Sequence, residues 1–139
     1  MNKSIVIPVY NEEGNIGNLI DKINPFLNDN DELIVVNDGS SDNTESEIKS
    51  KKCSLISLKT NKGKGFAMRK GIEKAKGDLI VFMGGDGQDD PEEIKILLQE
   101  INNGFDYVIG SRFLSKEDSK NRYSSKAILP VNEFGNKSI

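Results

Sequence analysis

Acidic and small residues crowd together directly after one apolar run near the middle of the chain. The run 79–83 is followed by Gly-Gly-Asp-Gly-Gln-Asp-Asp, which ends at Asp90. A short apolar run bounded by glycine predicts a strand buried on both faces, so Asp86 and Gln88 are expected at the carboxyl edge of a sheet. Their oxygens suit a hard divalent cation shared with phosphate groups, and the three glycines are expected to let a ligand approach them. Asp90 precedes Pro91 and is interpreted as a helix N-cap.

Short apolar runs alternate with helical patterns along the rest of the chain. Strands are predicted at 4–9, 33–36, 54–58, 79–83 and 106–110, and helices from about 13 to 25 and at 43–51, 66–76 and 91–102. Alternation of strands and helices predicts an α/β fold with a mostly parallel sheet. Small residues at 67, 71 and 75 predict a third helix that packs closely on the sheet, with Gly77 as its cap. No element is assigned to 114–139, which is expected to be partly disordered.

Polar motifs follow each predicted strand. They occupy 8–12, 37–42, 61–65, 86–90 and 111–112. In an open parallel sheet, ligands bind beyond the carboxyl ends of the strands, near the point where the strand order reverses. The sequence therefore predicts one site at this edge, built from all five motifs.

Composition excludes several classes of function. With 139 residues the chain is expected to be one domain, and a net charge of −3 with a pI near 5.1 argues against nucleic acid as a partner. Basic residues do gather between Lys49 and Lys76, which suits either an anionic ligand or a solvated face. The absence of histidine removes every His-based triad and His general base, and the single Cys53 precludes an intrachain disulfide. No apolar run approaches the length of a membrane span, so a soluble, cytoplasmic chain is expected.

Three familiar motifs are not met. Gly63-Lys-Gly65 is not completed by a third glycine as a dinucleotide fingerprint requires, and no P-loop ending occurs. The segments 38–42 and 86–90 lack the combined acid spacing and glycine position of a calcium loop.

Five motifs, in order and spacing, resemble the family 2 glycosyltransferases, and most of all their polyprenyl-phosphate (dolichol-phosphate mannose synthase-like) branch. They are Ile7-Pro-Val-Tyr-Asn-Glu-Glu13, Val35-Val-Asn-Asp-Gly-Ser-Ser-Asp-Asn-Thr44, Asn61-Lys-Gly-Lys-Gly65, Asp86-Gly-Gln-Asp-Asp-Pro91 and Gly110-Ser-Arg112. The resemblance implies a GT-A fold and inverting transfer of a sugar from a nucleoside-diphosphate (UDP- or GDP-) sugar with Mg²⁺ or Mn²⁺. It also implies a polyprenyl or dolichyl phosphate acceptor and a location at the cytoplasmic face of a membrane. Whether the chain forms a homodimer is left open.

The resemblance assigns roles to individual residues. Nucleotide binding falls to Pro8, Tyr10, Glu12, Asp38 and Lys64, the cation to Asp86 and Gln88, and catalysis to Asp86 and Arg112. A strand-end carboxylate can accept a hydrogen bond from a base N–H, an aromatic ring can pack on the base, and an arginine suits paired phosphate oxygens.

The sequence departs from the family pattern in two ways. The usual Asp-x-Asp motif has Gly84 at its first position, which leaves Asp89 as the nearby acid that could compensate. Family members also generally continue further, so residues 1–113 are expected to form the donor-binding domain and 114–139 the start of an acceptor-side region. Two other functions remain open: a catalytically impaired nucleotide-binding module, and a sugar-phosphate nucleotidyltransferase.

Overall fold

The computed structural model describes residues 1–104, 108–109 and 127–130, which form one six-stranded sheet with helices on both faces. The strands are β1 (Lys3–Val9), β2 (Glu32–Asn37), β3 (Ser54–Ser57), β4 (Leu79–Phe82), β5 (Val108–Ile109) and β6 (Ala127–Pro130). The helices are α1 (Ile16–Ile23), α2 (Thr44–Lys49), α3 (Lys64–Lys74) and α4 (Glu93–Asn102), with a 3₁₀ turn at Asn24–Phe26. The predicted α/β fold is confirmed.

The strand order is β3-β2-β1-β4-β6-β5. β1 pairs in parallel with both β2 and β4, and β2 pairs in parallel with β3. Because β6 is antiparallel to both β4 and β5, β5 runs in the same direction as β4. The chain thus builds outward from β1 to β3 and then crosses back to place β4 on the other side of β1.

Both faces of the central strands are buried, as their continuous apolar runs predict. Alternate residues of β1, including Ile5 and Ile7, pack under α1, α2 and α4. Residues of the opposite parity, such as Val6, pack under α3. α3 is therefore the one described helix on its face of the sheet.

The small residues of α3 bring this helix close to the sheet. Ala67 and Gly71 are buried, and a Cβ added at Gly71 would lie 2.2 Å from a methyl carbon of Val6. The predicted flat face is confirmed. The prediction that Gly77 caps α3 is wrong: Ala75 is the C-cap residue, and Gly77 instead donates a hydrogen bond from its N–H to the Ser4 hydroxyl at 2.8 Å.

Helices α1 and α4 begin later than predicted. α1 begins at Ile16 and not near Glu13, because Gly14 has a φ of 86°, outside the helical range, and residues 13–15 form a turn. α4 begins at Glu93 with Glu92 as its N-cap residue, so the prediction of Asp90 as the N-cap is wrong. The Asp90 carboxylate instead accepts the N–H of Glu92 at 2.9 Å in the turn that precedes the helix. At its other end Gly104 has a φ of 101°, the left-handed conformation expected of a terminating glycine.

β6 falls in the segment to which the sequence assigned no element. Ala127–Pro130 lies between β4 and β5 and pairs with both. The division of the chain at residue 113 stays a prediction. Among the described helices none is long and apolar enough to cross a bilayer.

Candidate functional site

The strand order reverses between β1 and β4, and a cavity of about 400 Å³ opens where these strands end. A crevice outside the carboxyl ends of strands at such a reversal is the usual ligand site of an open α/β sheet. Its lining comes from the loops after β1, β2, β3 and β4: Pro8, Val9, Tyr10, Glu12, Asp38, Asn61, Gly63, Lys64, Gly84, Gly85 and Asp86. All five residues expected to hold the nucleotide lie in this one cavity with Asp86.

Asp38 is fixed by the loop that follows β3. Its side chain is almost fully buried, and its two oxygens accept the backbone N–H groups of Lys62 at 2.7 Å and Gly63 at 3.0 Å. Each carboxylate oxygen can accept more than one hydrogen bond, so capacity remains for a donor in the cavity. The carboxylate is thus held in a single orientation at the cavity wall.

Gly39 allows the loops after β2 and β3 to touch. It has a φ of 72°, and a Cβ at this position would lie 2.5 Å from backbone atoms of Thr60 and Asn61. No residue with a side chain fits here without moving the backbone. Asn61 lies at this contact and Gly63 follows it; both line the cavity and lie in the predicted motif 61–65, but neither was given an individual role.

Hydrogen bonds connect the loop after β1 to the loop after β2. Asn11 has a φ of 52°, and its side-chain oxygen accepts the N–H of Ser41 at 2.8 Å, while its own N–H donates to the Ser40 hydroxyl at 2.9 Å. The N–H of Glu12 donates to the Thr44 hydroxyl at 2.9 Å. These bonds position Tyr10, whose side chain stands about half exposed at the cavity.

Two acids, Asp42 and Glu47, add further hydrogen bonds between these parts of the chain. The two carboxylate oxygens of Glu47 accept the N–H of Gly14 in the loop after β1, at 2.6 Å, and the N–H of Gly17 in α1, at 3.3 Å. The Thr44 hydroxyl donates to Asp42 and is the main cause that lowers the pKa of this carboxyl below its ordinary value. Asp42 and Thr44 lie in the motif 35–44 but were given no individual role, and Glu47 was not predicted, although Thr44-x-x-Glu47 carries the spacing of a helix-start signal.

The loop after β4 turns tightly around Gly84. The N–H of Gly84 donates to Asp89 at 2.9 Å, and the N–H of Gln88 donates to Asp86 at 3.0 Å. A Cβ added at Gly84 would lie 3.4 Å from an oxygen of Asp89 and 3.5 Å from an oxygen of Asp86. The position left empty by the missing first acid of the motif therefore faces both remaining carboxylates.

Glycine is required at Gly85 and at Gly87 for two different structural reasons. A Cβ at Gly85 would lie 2.4 Å from a methyl carbon of Val9, so this glycine is required by packing between the ends of β1 and β4. Gly87 has a φ of 77° and makes the turn. A Cβ at Gly87 would meet nothing within 4 Å, so the open approach expected for all three glycines holds at Gly87, is bordered by two carboxylates at Gly84 and does not hold at Gly85.

A second cavity, of about 480 Å³, lies on the other side of the Asp86 loop. It is lined by Asn15, Asn18, Leu19, Lys22, Asp86, Gly87, Gln88, Asp89, Asp90 and Pro91. Asp86 borders both cavities, whereas Gln88 borders the second one alone. The two residues expected to bind a cation are thus adjacent, with Asp86 at the wall between the cavities.

The fit of a divalent cation depends on how much of the shell the protein must supply. Within the described residues no group of three or more acids, cysteines or histidines is arranged around one point. Mg²⁺ usually takes one or two carboxylates and completes its shell with phosphate and water, and such a site needs no closed cage. Exposed Asp86 and the space at Gly84 fit a cation that arrives with a diphosphate.

Arg112 lies outside the described residues. The roles assigned to it and to the other site residues stay predictions, although the structure brings the rest of them together.

Known proteins resemble this chain over nearly its whole length. A family model described as glycosyl transferase family 2 matches residues 4–138. The undecaprenyl-phosphate 4-deoxy-4-formamido-L-arabinose transferase of Proteus mirabilis is 36% identical over 135 residues, which are 91% of this chain and 41% of that protein. The dolichol-phosphate mannosyltransferase of Pyrococcus furiosus is 39% identical over 119 residues, 82% of this chain and 34% of that protein. The chain spans between about a third and two fifths of the length of these relatives.

Solved structures share the fold. Glucosyl-3-phosphoglycerate synthase from Mycobacterium tuberculosis, in complex with Mn²⁺, UDP and glucosyl-3-phosphoglycerate, gives a TM-score of 0.74 at 23% identity and covers 94% of this chain and 57% of that one. The same synthase with Mn²⁺, UDP-glucose and phosphoglyceric acid gives 0.67 at 26% identity, over 78% of this chain and 42% of that one. The expected GT-A fold is confirmed.

Proposed function

The chain belongs to glycosyl transferase family 2, and on that premise we propose that it forms the donor-binding part of an inverting glycosyltransferase. The donor is a nucleoside-diphosphate sugar, and the acceptor is a polyprenyl phosphate. One observation carries the proposal: a single cavity at the strand-order reversal gathers Tyr10, Asp38, Lys64 and Asp86 from four separate loops. Loop acids that served only as caps and turns would not need to share a cavity.

The nucleoside is held at the β1 and β2 end of the cavity. Asp38, fixed by two backbone N–H groups, accepts a hydrogen bond from the base, and the exposed ring of Tyr10 packs on its face. Because Asp38 is already oriented, little ordering is needed when the base arrives. Exposed Lys64, at the first residue of α3, meets the negative charge of the diphosphate.

The diphosphate is held at the β4 end. Asp86 and Gln88 would hold the divalent cation, which stabilises the negative charge that develops on the departing diphosphate. The geometry leaves the choice between Mg²⁺ and Mn²⁺ to the assay. Arg112 is proposed to face the same phosphates, because its fork of donors suits paired oxygens.

The acceptor follows from the relatives named for undecaprenyl phosphate and dolichol phosphate. In the proposed step an acceptor phosphate oxygen attacks the anomeric carbon while the bond from that carbon to the nucleoside diphosphate breaks. The acceptor oxygen is already anionic near neutral pH, so no strong general base is needed. The absence of histidine from the chain fits such a step.

A thermal-shift screen tests the donor site. The chain is melted with UDP-, GDP-, CDP- and ADP-sugars, each with and without Mn²⁺ or Mg²⁺. A ligand at a hundred times its dissociation constant adds about 2.7 kcal/mol, which moves the midpoint by roughly several degrees in a domain of this size. The expected result is a shift that needs both one nucleotide and the cation, and that is lost in Asp86→Asn.

Asp29→Asn is the matched control, because Asp29 is an exposed aspartate in the loop before β2, away from the cavity. A shift that Asp86→Asn and Asp29→Asn reduce equally would refute the assignment of the cation to Asp86. A shift with nucleotide but no transfer in any acceptor assay would identify an impaired binding module. Release of pyrophosphate from a nucleoside triphosphate and a sugar phosphate would identify a nucleotidyltransferase instead.

A further inference from the structure

The surface around α3 is strongly basic although the chain as a whole is acidic. Residues 59–76 contain seven lysines and arginines and one acid, a net charge of +6 in a chain whose net charge is −3. Six of the seven are exposed, and Lys70 is half-buried. We refer to Lys62, Phe66, Arg69, Lys70 and Lys74 as the basic α3 surface.

The basic α3 surface lies on a different face of the sheet from the other described helices. α3 packs on one face of the strands, and α1, α2 and α4 pack on the other. Since 59–76 carries +6, all other residues together carry −9. At physiological salt the Debye length is about 8 Å, so a partner on the α3 side is affected most by the charges of 59–76 and little by those of α1, α2 and α4.

The cations of the basic α3 surface are mostly not neutralised by acids. Among residues 1–104, Lys70 pairs with Glu73 at 3.4 Å, and none of the other six cations of 59–76 forms an ion pair. Arg69 and Lys70 instead lie over the ring of Phe66, at 5.8 and 5.4 Å from its centre. The surface therefore presents an aromatic ring framed by two cations.

A groove of about 500 Å³ runs beside this ring. Its lining combines the side chains of Phe66, Met68 and Ile72 with the cations Lys62 and Arg69. Apolar atoms rimmed by long basic side chains match the boundary between lipid headgroups and acyl chains, where the stems lie on apolar surface and the charges reach phosphate. A partner with only negative charge would leave this apolar groove without a counterpart.

We propose that the basic α3 surface docks the chain on an anionic lipid bilayer. Each lysine or arginine near an anionic membrane contributes about 1 kcal/mol, or roughly a fivefold gain in binding. The surface also adjoins the donor cavity, because Lys62 borders the groove while its neighbours Gly63 and Lys64 border the cavity. Docking places the cavity beside the headgroup layer, where a polyprenyl phosphate resides. This inference rests on the proposed acceptor.

Other occupants fit the charges less well. Residues 110–139 carry six basic and three acidic side chains, a net +3, which does not complement a positive surface. Single-stranded nucleic acid is held by successive aromatic rings, and Phe66 is the one aromatic residue in 59–76. An anionic bilayer matches both the charge and the groove.

Vesicle sedimentation tests the docking. The chain is mixed with vesicles of phosphatidylcholine alone or with 30% phosphatidylglycerol, at about 50 and 300 mM salt, without nucleotide. Binding is expected to the anionic vesicles alone and to weaken with salt. The triple variant Arg69→Gln, Lys70→Gln, Lys74→Gln should bind roughly a hundredfold more weakly, at about fivefold for each charge.

The matched control is Lys49→Gln, Lys51→Gln, Lys52→Gln, which removes the same charge from the opposite side of the sheet. Equal loss in the two triple variants, no binding to anionic vesicles, or tighter binding to a single-stranded oligonucleotide than to vesicles would each overturn the proposal. The outcome is independent of the donor screen: a chain that binds donor but not vesicles refutes docking alone, and the reverse refutes the donor site alone.

Discussion

Restoring an acid at Gly84 gives the sharpest test of the loop after β4. Gly84 does not have a positive φ, so an L residue fits its backbone. A Cβ there meets Asp89 and Asp86 oxygens at 3.4 and 3.5 Å, which is ordinary van der Waals contact. Gly84→Asp should therefore fold, with a third carboxylate facing the two already present.

The cost without metal follows from the spacing. Two unit charges about 4 Å apart repel by roughly 1 kcal/mol in bulk water and by about 4 kcal/mol near a protein surface. Proton uptake limits this cost at neutral pH to about 4 kcal/mol, the work of protonating a carboxyl of pKa near 3.9. Since Asp86 is exposed and Asp89 is buried, we expect Gly84→Asp to be less stable than Gly84→Asn by about 2 kcal/mol, or roughly 8 °C in midpoint.

The assay is urea unfolding of Gly84→Asp and Gly84→Asn, first in EDTA and then in Mn²⁺ with a nucleoside diphosphate. The asparagine variant matches the new side chain in size and lacks its charge. We expect the aspartate variant to be the less stable in EDTA and the more stable in Mn²⁺, because a third carboxylate raises cation affinity. Equal stability of the two variants in EDTA would show that a carboxylate at position 84 does not lie close to those of Asp86 and Asp89.

Three further predictions follow from the described contacts. Asp86→Ala should abolish cation-dependent donor binding in calorimetry. It should lower the free energy of unfolding in urea by less than about 1 kcal/mol, because this exposed side chain accepts one exposed hydrogen bond. Cation-dependent donor binding as in the parent would contradict the assignment of the cation to Asp86. In α3, Gly71→Ala should lower the free energy of unfolding by about 1–3 kcal/mol, since its Cβ would lie 2.2 Å from a methyl carbon of β1. Gly65→Ala is the matched control: its Cβ would meet open space, so this variant should gain about 0.5–1 kcal/mol of stability. Equal effects of the two variants would refute the close packing of α3 on the sheet. Burial raises the pKa of the Asp31 carboxyl, but hydrogen bonds from Lys3 and from backbone N–H groups outweigh burial and lower it. Asp31 should therefore stabilise the fold above about pH 4, the pKa of an unfolded aspartate, and this stabilisation should be lost as the pH falls through the lower pKa of the folded state. An Asp31→Asn variant with the same acid unfolding curve as the parent would be inconsistent with this.

The sequence predicted the strands that are buried on both faces, because such strands are continuous apolar runs. β1, β2 and β4 are of this kind, and their carboxyl ends carry the polar loops of the site. The parallel order follows from the helices between them, and the location of the site follows from that order. Six of the seven described site residues were therefore found in one cavity, and Gln88 borders the neighbouring one.

β6 could not be found in the same way. Ala127–Pro130 belongs to a short apolar run, 127–131, that is interrupted by a proline, and a proline argues against a strand in the interior of a sheet because it lacks the N–H that such a strand donates. What makes it a strand is pairing with β4 and β5, which is a tertiary contact. Propensity and pattern in the chain itself do not encode that partner.

The hydrogen bonds between the loops after β1 and β2 could not be predicted for a related reason. Asn11 and Thr44 are each ordinary loop residues, and their hydrogen bonds span about 30 positions of sequence. Likewise the close approach at Gly77 depends on Ser4 of β1, which local capping rules cannot anticipate.

Paramagnetic broadening by Mn²⁺ tests the central claim most directly, because it locates the cation without any need for turnover. Amide spectra are recorded with UDP or GDP and Mn²⁺, with Mg²⁺ as the diamagnetic control. We expect strong broadening at Gly84 to Gln88 and at Tyr10 to Glu12, and none at Asn2 and Asp78, which are hydrogen-bonded to each other at the opposite edge of the sheet. Broadening centred away from the ends of β1 and β4, or none with either nucleotide, would contradict a cation-dependent nucleotide site in this crevice.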